Sequence, residues 1–427
     1  MDKKLQIPII KINIKKKSLR PKFFFRLKSK KKFKPLLNNP SFITFGCWNK
    51  NMCKINSYKT NVSLVINKID ELCETTYPKP SFIIVKGDNY YPNIKENELS
   101  GHKIKTIKEI ELKSGFDCLE YIYQKHKIPI DIIAGNHDLV DTQQYVIETI
   151  DRSTTVDKCF ITNNELILAQ YPIHSFSLCN FRLFGKGNHT LILMIDSNFY
   201  NETDIFKMKN CYINLIENTI KNFKNVNTLK EKLTNIQTEF KNIEMNIIKL
   251  GKEQASQMII YLLDDFQNSC INEMLKEINT NKIKNFVLVA HHPLIYYKIK
   301  SKSKQDDKME IMTASEEYLK LCFNIYDIFN KDTQLFYSSA DLHLYQEGKI
   351  NLKFNDNEKN IKQYIAGTGG NDLEKKYVEV SDMTNANVVI NDIDISYNMT
   401  NTIKSNGFLH WIENVIDKKL DVNFIQV

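Results

Sequence analysis

Phe82-Ile-Ile-Val-Lys-Gly-Asp-Asn-Tyr-Tyr-Pro92 is the stretch on which the fold turns. Its apolar, β-branched run ends at Gly87 and is followed at once by an acid. It reads as a buried strand that delivers Asp88 onto the loop at its carboxyl end. Ligand sites in open α/β sheets gather at that end. Four more segments repeat the arrangement: Phe42-Ile-Thr-Phe-Gly-Cys-Trp48, Ile130-Asp-Ile-Ile-Ala-Gly-Asn-His-Asp138, Phe286-Val-Leu-Val-Ala-His-His-Pro293 and Leu335-Phe-Tyr-Ser-Ser-Ala-Asp-Leu-His343. Each hands a metal-capable or proton-transferring side chain to the same edge.

Between these strands the apolar spacing is helical. Val62, Val65, Ile66, Ile69 and Leu72 mark a helix stopped by Pro78 and Pro80, and residues 107–125 carry another. Strand, helix and strand in succession make a right-handed βαβ step. Leu191–Asp196 is a further buried strand. Met258–Phe266 and Tyr318–Ile328 are further helices, and Gly407–Leu409 with Leu420–Phe424 reads as closing antiparallel strands. Tyr364-Ile-Ala-Gly-Thr-Gly-Gly-Asn371 lacks a following Lys-Ser or Lys-Thr, so it reads as a turn and not as a phosphate-binding loop.

Residues 200–252 look inserted. Val226, Leu229, Leu233, Ile236, Phe240, Ile243, Ile247 and Leu250 alternate spacings of three and four, which is a heptad seam. Two readings stand: a long helix packed on its own domain, which a short isolated seam favours, or an arm for self-association through 226–250.

The chain of 427 residues carries a net charge of +9, but the charge is not spread evenly. Residues 1–36 hold fourteen Lys or Arg against Asp2 alone, so that segment is +13 and the rest is −4. Such a block reads as a solvated tail over 1–40, serving solubility, or as a tether to nucleic acid or an anionic surface. Nine cysteines are scattered singly, with no close pair of the kind that binds zinc or builds a disulfide framework. They fit a reducing compartment. The longest apolar runs fall short of the ~18–20 residues of a membrane span, and lysines interrupt Ile7–Ile14. The expected location is cytoplasmic or nuclear.

Taken in order, Gly46-Cys-Trp-Asn49, Gly87-Asp-Asn-Tyr-Tyr91, Gly135-Asn-His-Asp138, Ala290-His-His-Pro293 and Ala340-Asp-Leu-His-Leu-Tyr-Gln346 resemble the motif series of the calcineurin-like metallophosphoesterases, closest to the purple acid phosphatase branch. The resemblance covers residue 41 to the end apart from the insertion. It implies an α/β fold, a four-layer α/β/β/α sandwich with a helical insertion. It also implies a metal-dependent phosphoesterase acting on a phosphorylated small molecule or phosphoprotein through a metal-bound hydroxide. Asp88 would bridge two divalent ions (zinc, manganese or iron). Tyr91 and His343 would serve the first ion, Asn136 and His291 the second, and His137 would be the catalytic acid.

Two positions depart from the family. Cys47 stands where an Asp ligand is expected, and Asp341 stands at the first His of the last motif; the alignment there leaves Ala340 as the alternative occupant. Both Cys47 and Asp341 can coordinate metal, and the thiolate favours zinc on its side. The other reading of the same residues is a catalytically silent relative that serves as a binding or assembly module. Lys298 and Lys300, after the fourth strand, would either hold an anion or form a solvated run.

Overall fold

The computed structural model describes residues 39–89, 91, 101–139, 177–201, 205–221, 223, 227–301, 307–380 and 385–427. The basic segment 1–36 lies outside them.

Strands β1 (Ser41–Phe45), β2 (Ile83–Lys86) and β3 (Ile130–Ile133) run parallel, and β14 (Gly407–Glu413) and β15 (Leu420–Gln426) extend this sheet antiparallel beside β1, in the order β15-β14-β1-β2-β3. A second sheet has the order β12-β13-β10-β11-β9-β6-β5-β4. Its parallel part comprises β5 (Thr190–Ile195), β6 (Asn285–Val289), β9 (Gln334–Ser339) and β11 (Asn357–Ala366). Antiparallel strands flank it: β4 (Cys179–Phe184) on one side, and β10 (Tyr345–Phe354), β13 (Ile393–Ile403) and β12 (Asn385–Ile390) on the other. A separate ribbon pairs β7 (Ile295–Ser301) with β8 (Asp307–Thr313). The chain is therefore α/β, as its alternating patterns predict.

Side chains of the two sheets share one apolar cluster. Phe42, Ile84 and Trp411 of the first sheet pack with Ile192, Val287, Phe336 and Tyr364 of the second. Trp411 stacks on Phe42 with ring centroids 5.3 Å apart and meets Phe336 and Tyr364 edge-on at 5.9 and 5.5 Å. Stacked and edge-to-face rings bring directional attraction beyond the area they bury. Polar ties cross the same gap. Arg182 of β4 grips Asp131 of β3, its Nη2 donating to Oδ1 at 2.8 Å, and Lys86 of β2 reaches the Ser339 carbonyl of β9 at 2.5 Å. Lys86 is fully buried, and desolvation pushes its pKa down to about 7.

The helices bury one face each. In α1 (Asn61–Thr75) the row Val62, Val65, Ile66, Ile69 is inside, and Thr60 caps the amino end by accepting from the Ser63 amide. Helix α2 (Gly101–His126) packs against α1, and α6 (Glu316–Asp327), capped by Ser315, lies on β10, β11 and β13. A short helix, α3 (Asn136–Leu139), follows β3 directly.

The heptad seam has its cover within the chain. Helix α4 (Ile205–Lys221) packs on α5 (Asn227–Glu277), and α5 is interrupted at Gly251, whose φ of 75° and ψ of 160° are not helical. An unbroken helix would hold Lys232 and Asp265 about 50 Å apart at 1.5 Å per residue, yet these two side chains form an ion pair. The chain consequently reverses at Gly251, and residues 227–250 and 252–277 form two arms. Leu229, Ile236, Phe240 and Ile243 of one arm and Ala255, Ile259, Leu263 and Phe266 of the other are buried in one cluster. Val226, the first residue of the seam, lies outside the described residues. No helix among the described residues is long and apolar enough to cross a membrane.

The reversal has a measurable consequence. Gly251→Ala should lower stability by about 1–3 kcal/mol in urea denaturation, because that φ/ψ region is open almost only to glycine. A helix that ran straight through would gain about 1 kcal/mol from the same change. Ile248→Ala, at a side chain 96% exposed, should stay within about 0.5 kcal/mol.

Candidate metal centre

Five parallel strands, β1, β2, β3, β6 and β9, end in Gly46-Cys47, Gly87-Asp88, Gly135-Asn136, Ala290-His291 and Ala340-Asp341, and the loops meet at one edge between the sheets. Three of these loop residues hold left-handed backbone: Cys47 with φ 53°, Asp88 with φ 52° and Asp341 with φ 53°. Such a conformation costs a non-glycine residue on the order of 1–2 kcal/mol, and asparagine or aspartate accept it more readily than cysteine does. Backbone hydrogen bonds hold the turns in place: the Cys47 amide donates to the Gly87 carbonyl at 3.1 Å and the Ala340 amide to the His291 carbonyl at 2.9 Å.

The carboxylate of Asp88 is the centre. Its Oδ2 accepts from the Tyr91 hydroxyl at 2.9 Å and from the Cys47 thiol at 3.5 Å. Its Oδ1 lies 3.3 Å from His291 Nε2 and accepts from the His137 amide at 3.2 Å. The two oxygens thus face two different donor groups. Cys47, Asp88 and His343 place ligand atoms within 4.8 Å of one another, and so do His291, His292 and Asp341. Tyr91 joins the first group through its 3.3 Å contact with His343 Nε2, and Asn136 joins the second, its Oδ1 being 3.1 Å from His291 Nε2.

All seven residues that the sequence predicts as ligands therefore come together. Asp341 lies on the His291 side, its Oδ1 3.9 Å from Nε2. His137 sits at the half-buried rim, its ring 4.8 Å from that of Tyr91. Lys300 pairs with Glu310 across the β7–β8 ribbon at 2.7 Å, while Lys298 pairs at 3.6 Å with Glu374, whose amide donates to the His343 carbonyl at 3.0 Å, so both ammonium groups have carboxylate partners.

Four contributors escaped the sequence reading. His292 turns its Nδ1 to the Ser197 hydroxyl at 3.0 Å and thereby adds an imidazole to the second group. Asn371 donates to His343 Nε2 at 3.0 Å, and its own amide donates to the Cys47 carbonyl at 3.2 Å. The glycines before it are explained by this approach: a Cβ on Gly367 would strike the Leu342 carbonyl and crowd the Cys47 sulfur. Asn89 and Asp138 form the frame underneath. Asp138 accepts from the Asn89 and Gly135 amides at 2.8 Å each, while Asn89 Oδ1 accepts from Trp48 Nε1 at 3.0 Å. The doubled histidine and the terminal Asn of the Gly-rich segment were visible signals; only the fold brings them to the site.

The electrostatics follow from burial around one acid. Desolvation pushes the Asp88 pKa up, but the charges and hydrogen bonds of His291, His137 and Tyr91 more than offset it and hold the group well below the carboxylate range. Burial alone would lower His291; the Asp88 carboxylate raises it to about 9. The Cys47 thiol and the Tyr91 phenol are both pushed up, first by burial and then by the Asp88 charge. Burial lowers His343, and lowers His292 to about 4. His291 donates its Nδ1 hydrogen to the Lys86 carbonyl at 2.8 Å, which directs Nε2 into the cup. A metal-binding histidine is oriented in this way.

The donor set fits divalent ions. Thiol, phenol, carboxylate and imidazole surround one side of Asp88, and imidazoles, an amide oxygen and a carboxylate the other. Soft and nitrogen donors suit zinc, and the mixed oxygen and nitrogen set suits manganese, iron or zinc.

In the metal-free protein the raised His291 pKa has a definite sign. A charged His291 paired with Asp88 adds stability that is fully present below about 6.5 and is lost as pH rises through about 9. Imidazole NMR should find His291 titrating near 9. In Asp88→Asn the titration should fall to 6.5 or lower and the loss of stability over that window should disappear. A normal titration in the unaltered protein would break the pairing argument.

Comparison with known proteins adds one finding on each side. No family model matches the chain. The chain is 23% identical over 370 residues to a protein of Debaryomyces hansenii named spindle assembly checkpoint component MAD1, over 85% of this chain and 48% of that protein. The chain spans about half the length of the curated relative it matches. The function expected from the motif series is corrected here: the relative's name is that of a checkpoint component and not of a phosphoesterase.

Proposed function

We propose that this chain is a metal-dependent binding module, a protein whose paired metal cup serves recognition or assembly. The observation that carries the reading is the division of the Asp88 carboxylate, one oxygen toward Cys47 and Tyr91 and the other toward His291. That division is what a bridging carboxylate between two ions requires. Cys47, Tyr91 and His343 would hold the first ion, zinc by preference, and Asn136, His291, His292 and Asp341 the second. When bound, the ions would supply positive charge and open coordination positions for an anionic group of a partner.

A use other than catalysis is supported by the relative, which is named a checkpoint component. We read the architecture as a four-layer α/β/β/α sandwich of the metallophosphoesterase kind, supported by the apolar cluster shared by both sheets and by the order of the loop residues. In this reading the fold is that of an enzyme superfamily and the use is a different one. The basic segment 1–36 would act as a tether to nucleic acid or an anionic surface.

Zinc titration followed by calorimetry and elemental analysis tests the proposal. Two ions per chain are expected, with at most one in Asp88→Asn, which removes the shared ligand. Binding should release protons, because the Cys47 thiol, the Tyr91 phenol and charged His291 must lose theirs, so affinity should fall as pH falls. Absence of stoichiometric metal would sink the reading. Turnover of an aryl phosphate by the metal-loaded protein, abolished by His137→Ala, would overturn the binding role in favour of catalysis.

A further inference from the structure

Cys53 and Cys118 belong to neither donor group, yet they face each other. Cys53 stands in the loop that follows Trp48, and its amide donates to the Ser114 hydroxyl of α2 at 2.9 Å. Ser114 and Cys118 are four residues apart on that helix and so share a face. The Cys118 thiol is near enough to Cys53 to raise its pKa. Nearby, the Trp48 ring meets Phe116 edge-on with centroids 5.8 Å apart. The loop that begins at Cys47 is thus laid along residues 114–118 of α2.

We propose that Cys53 and Cys118 close a disulfide on exposure to a small oxidised disulfide, and that the bond locks the Cys47 loop to α2. One protein thiol, as its thiolate, attacks a sulfur of glutathione disulfide, forming a mixed disulfide and releasing one glutathione thiol. The second protein thiolate then attacks the protein sulfur of that mixed disulfide and releases the other. Two protein thiols are oxidised, one glutathione disulfide is reduced, and the two protons pass to the departing glutathione sulfurs.

Both side chains are nearly buried, at 5% and 4% exposure, so the reaction begins when the loop lifts. Cys53 has the freedom to do this because it lies in a segment without regular structure, while Cys118 is fixed on its helix. Cys179 likewise raises the Cys270 pKa, but both are fully buried on β4 and α5, where regular structure holds each of them.

The inference does not depend on metal. The full-length protein is incubated with glutathione disulfide, capped with N-ethylmaleimide, digested and mapped by mass spectrometry without reduction. A linked Cys53–Cys118 peptide is expected, absent from both Cys53→Ala and Cys118→Ala. Cys53→Ala lies in a loop and preserves the helix, so it keeps the test valid if the other variant fails to fold. Tryptic cleavage at the exposed Lys54 should slow about tenfold in the linked form, since cleavage requires local opening. Recovery of Cys53 capped or merely glutathionylated, a link from Cys53 to another cysteine, a Cys179–Cys270 link in its place, or unchanged cleavage at Lys54 would each overturn the proposal.

Discussion

The buried carboxylate of Asp88 is the constraint around which the site is built. An unpaired charge in such a place costs several kcal/mol, so each lone pair must meet a donor or a cation. Tyr91, Cys47, His291 and the His137 amide supply those partners from three loops besides the acid's own. Glycine is required where the loops touch. Gly87 has φ 87° and a Cβ there would strike the His291 ring, while one on Gly135 would collide with the Asp88 amide and carboxylate. The left-handed turns at Cys47, Asp88 and Asp341 are strain that the two-sheet framework sustains.

Below that acid the structure is a chain of supports. Asp138 and Asn89 tie the β2 and β3 loops together, Trp48 ties the β1 loop to Asn89, and Lys86 carries a charge-assisted link across to β9. Gln346 and Gln363 do the same for the β7–β8 ribbon, each donating to a backbone carbonyl of β7 while accepting from a nearby backbone amide. These are buried polar groups with both ends satisfied. Networks of that kind hold a single arrangement, because breaking one member leaves the others unpaired in a low-dielectric interior.

The helical arms illustrate how periodicity and geometry divide the work. The 3–4 spacing of Leu229–Leu250 correctly announces an apolar stripe, and a stripe of three heptads is too short to stand without cover. What covers it is the chain itself. One residue, Gly251, admits the backbone angles that reverse direction, and Lys232 then meets Asp265 across the two arms. Leu229, Ile236, Phe240 and Ile243 of the seam are thereby buried in one cluster with the second arm.

Local pattern determined the α/β class and the five strands that carry the loop residues, because strand and helix periods and strand-end glycines are short-range properties; the seven expected ligands rested on the resemblance of the ordered motifs. Long-range geometry decided the rest. His292 became a donor because Ser197 of a separate strand end turns its ring, and Asn371 because a Gly-rich turn is pressed onto Cys47. The division of Asp88 between two donor groups, the pairing of Lys298 with Glu374, and the ion pair of Lys232 with Asp265 across the reversal at Gly251 all depend on residues tens to hundreds of positions apart. Function followed the same rule: ordered motifs state which chemistry the residues could perform, while the relative that the chain matches is named a checkpoint component and not a phosphoesterase.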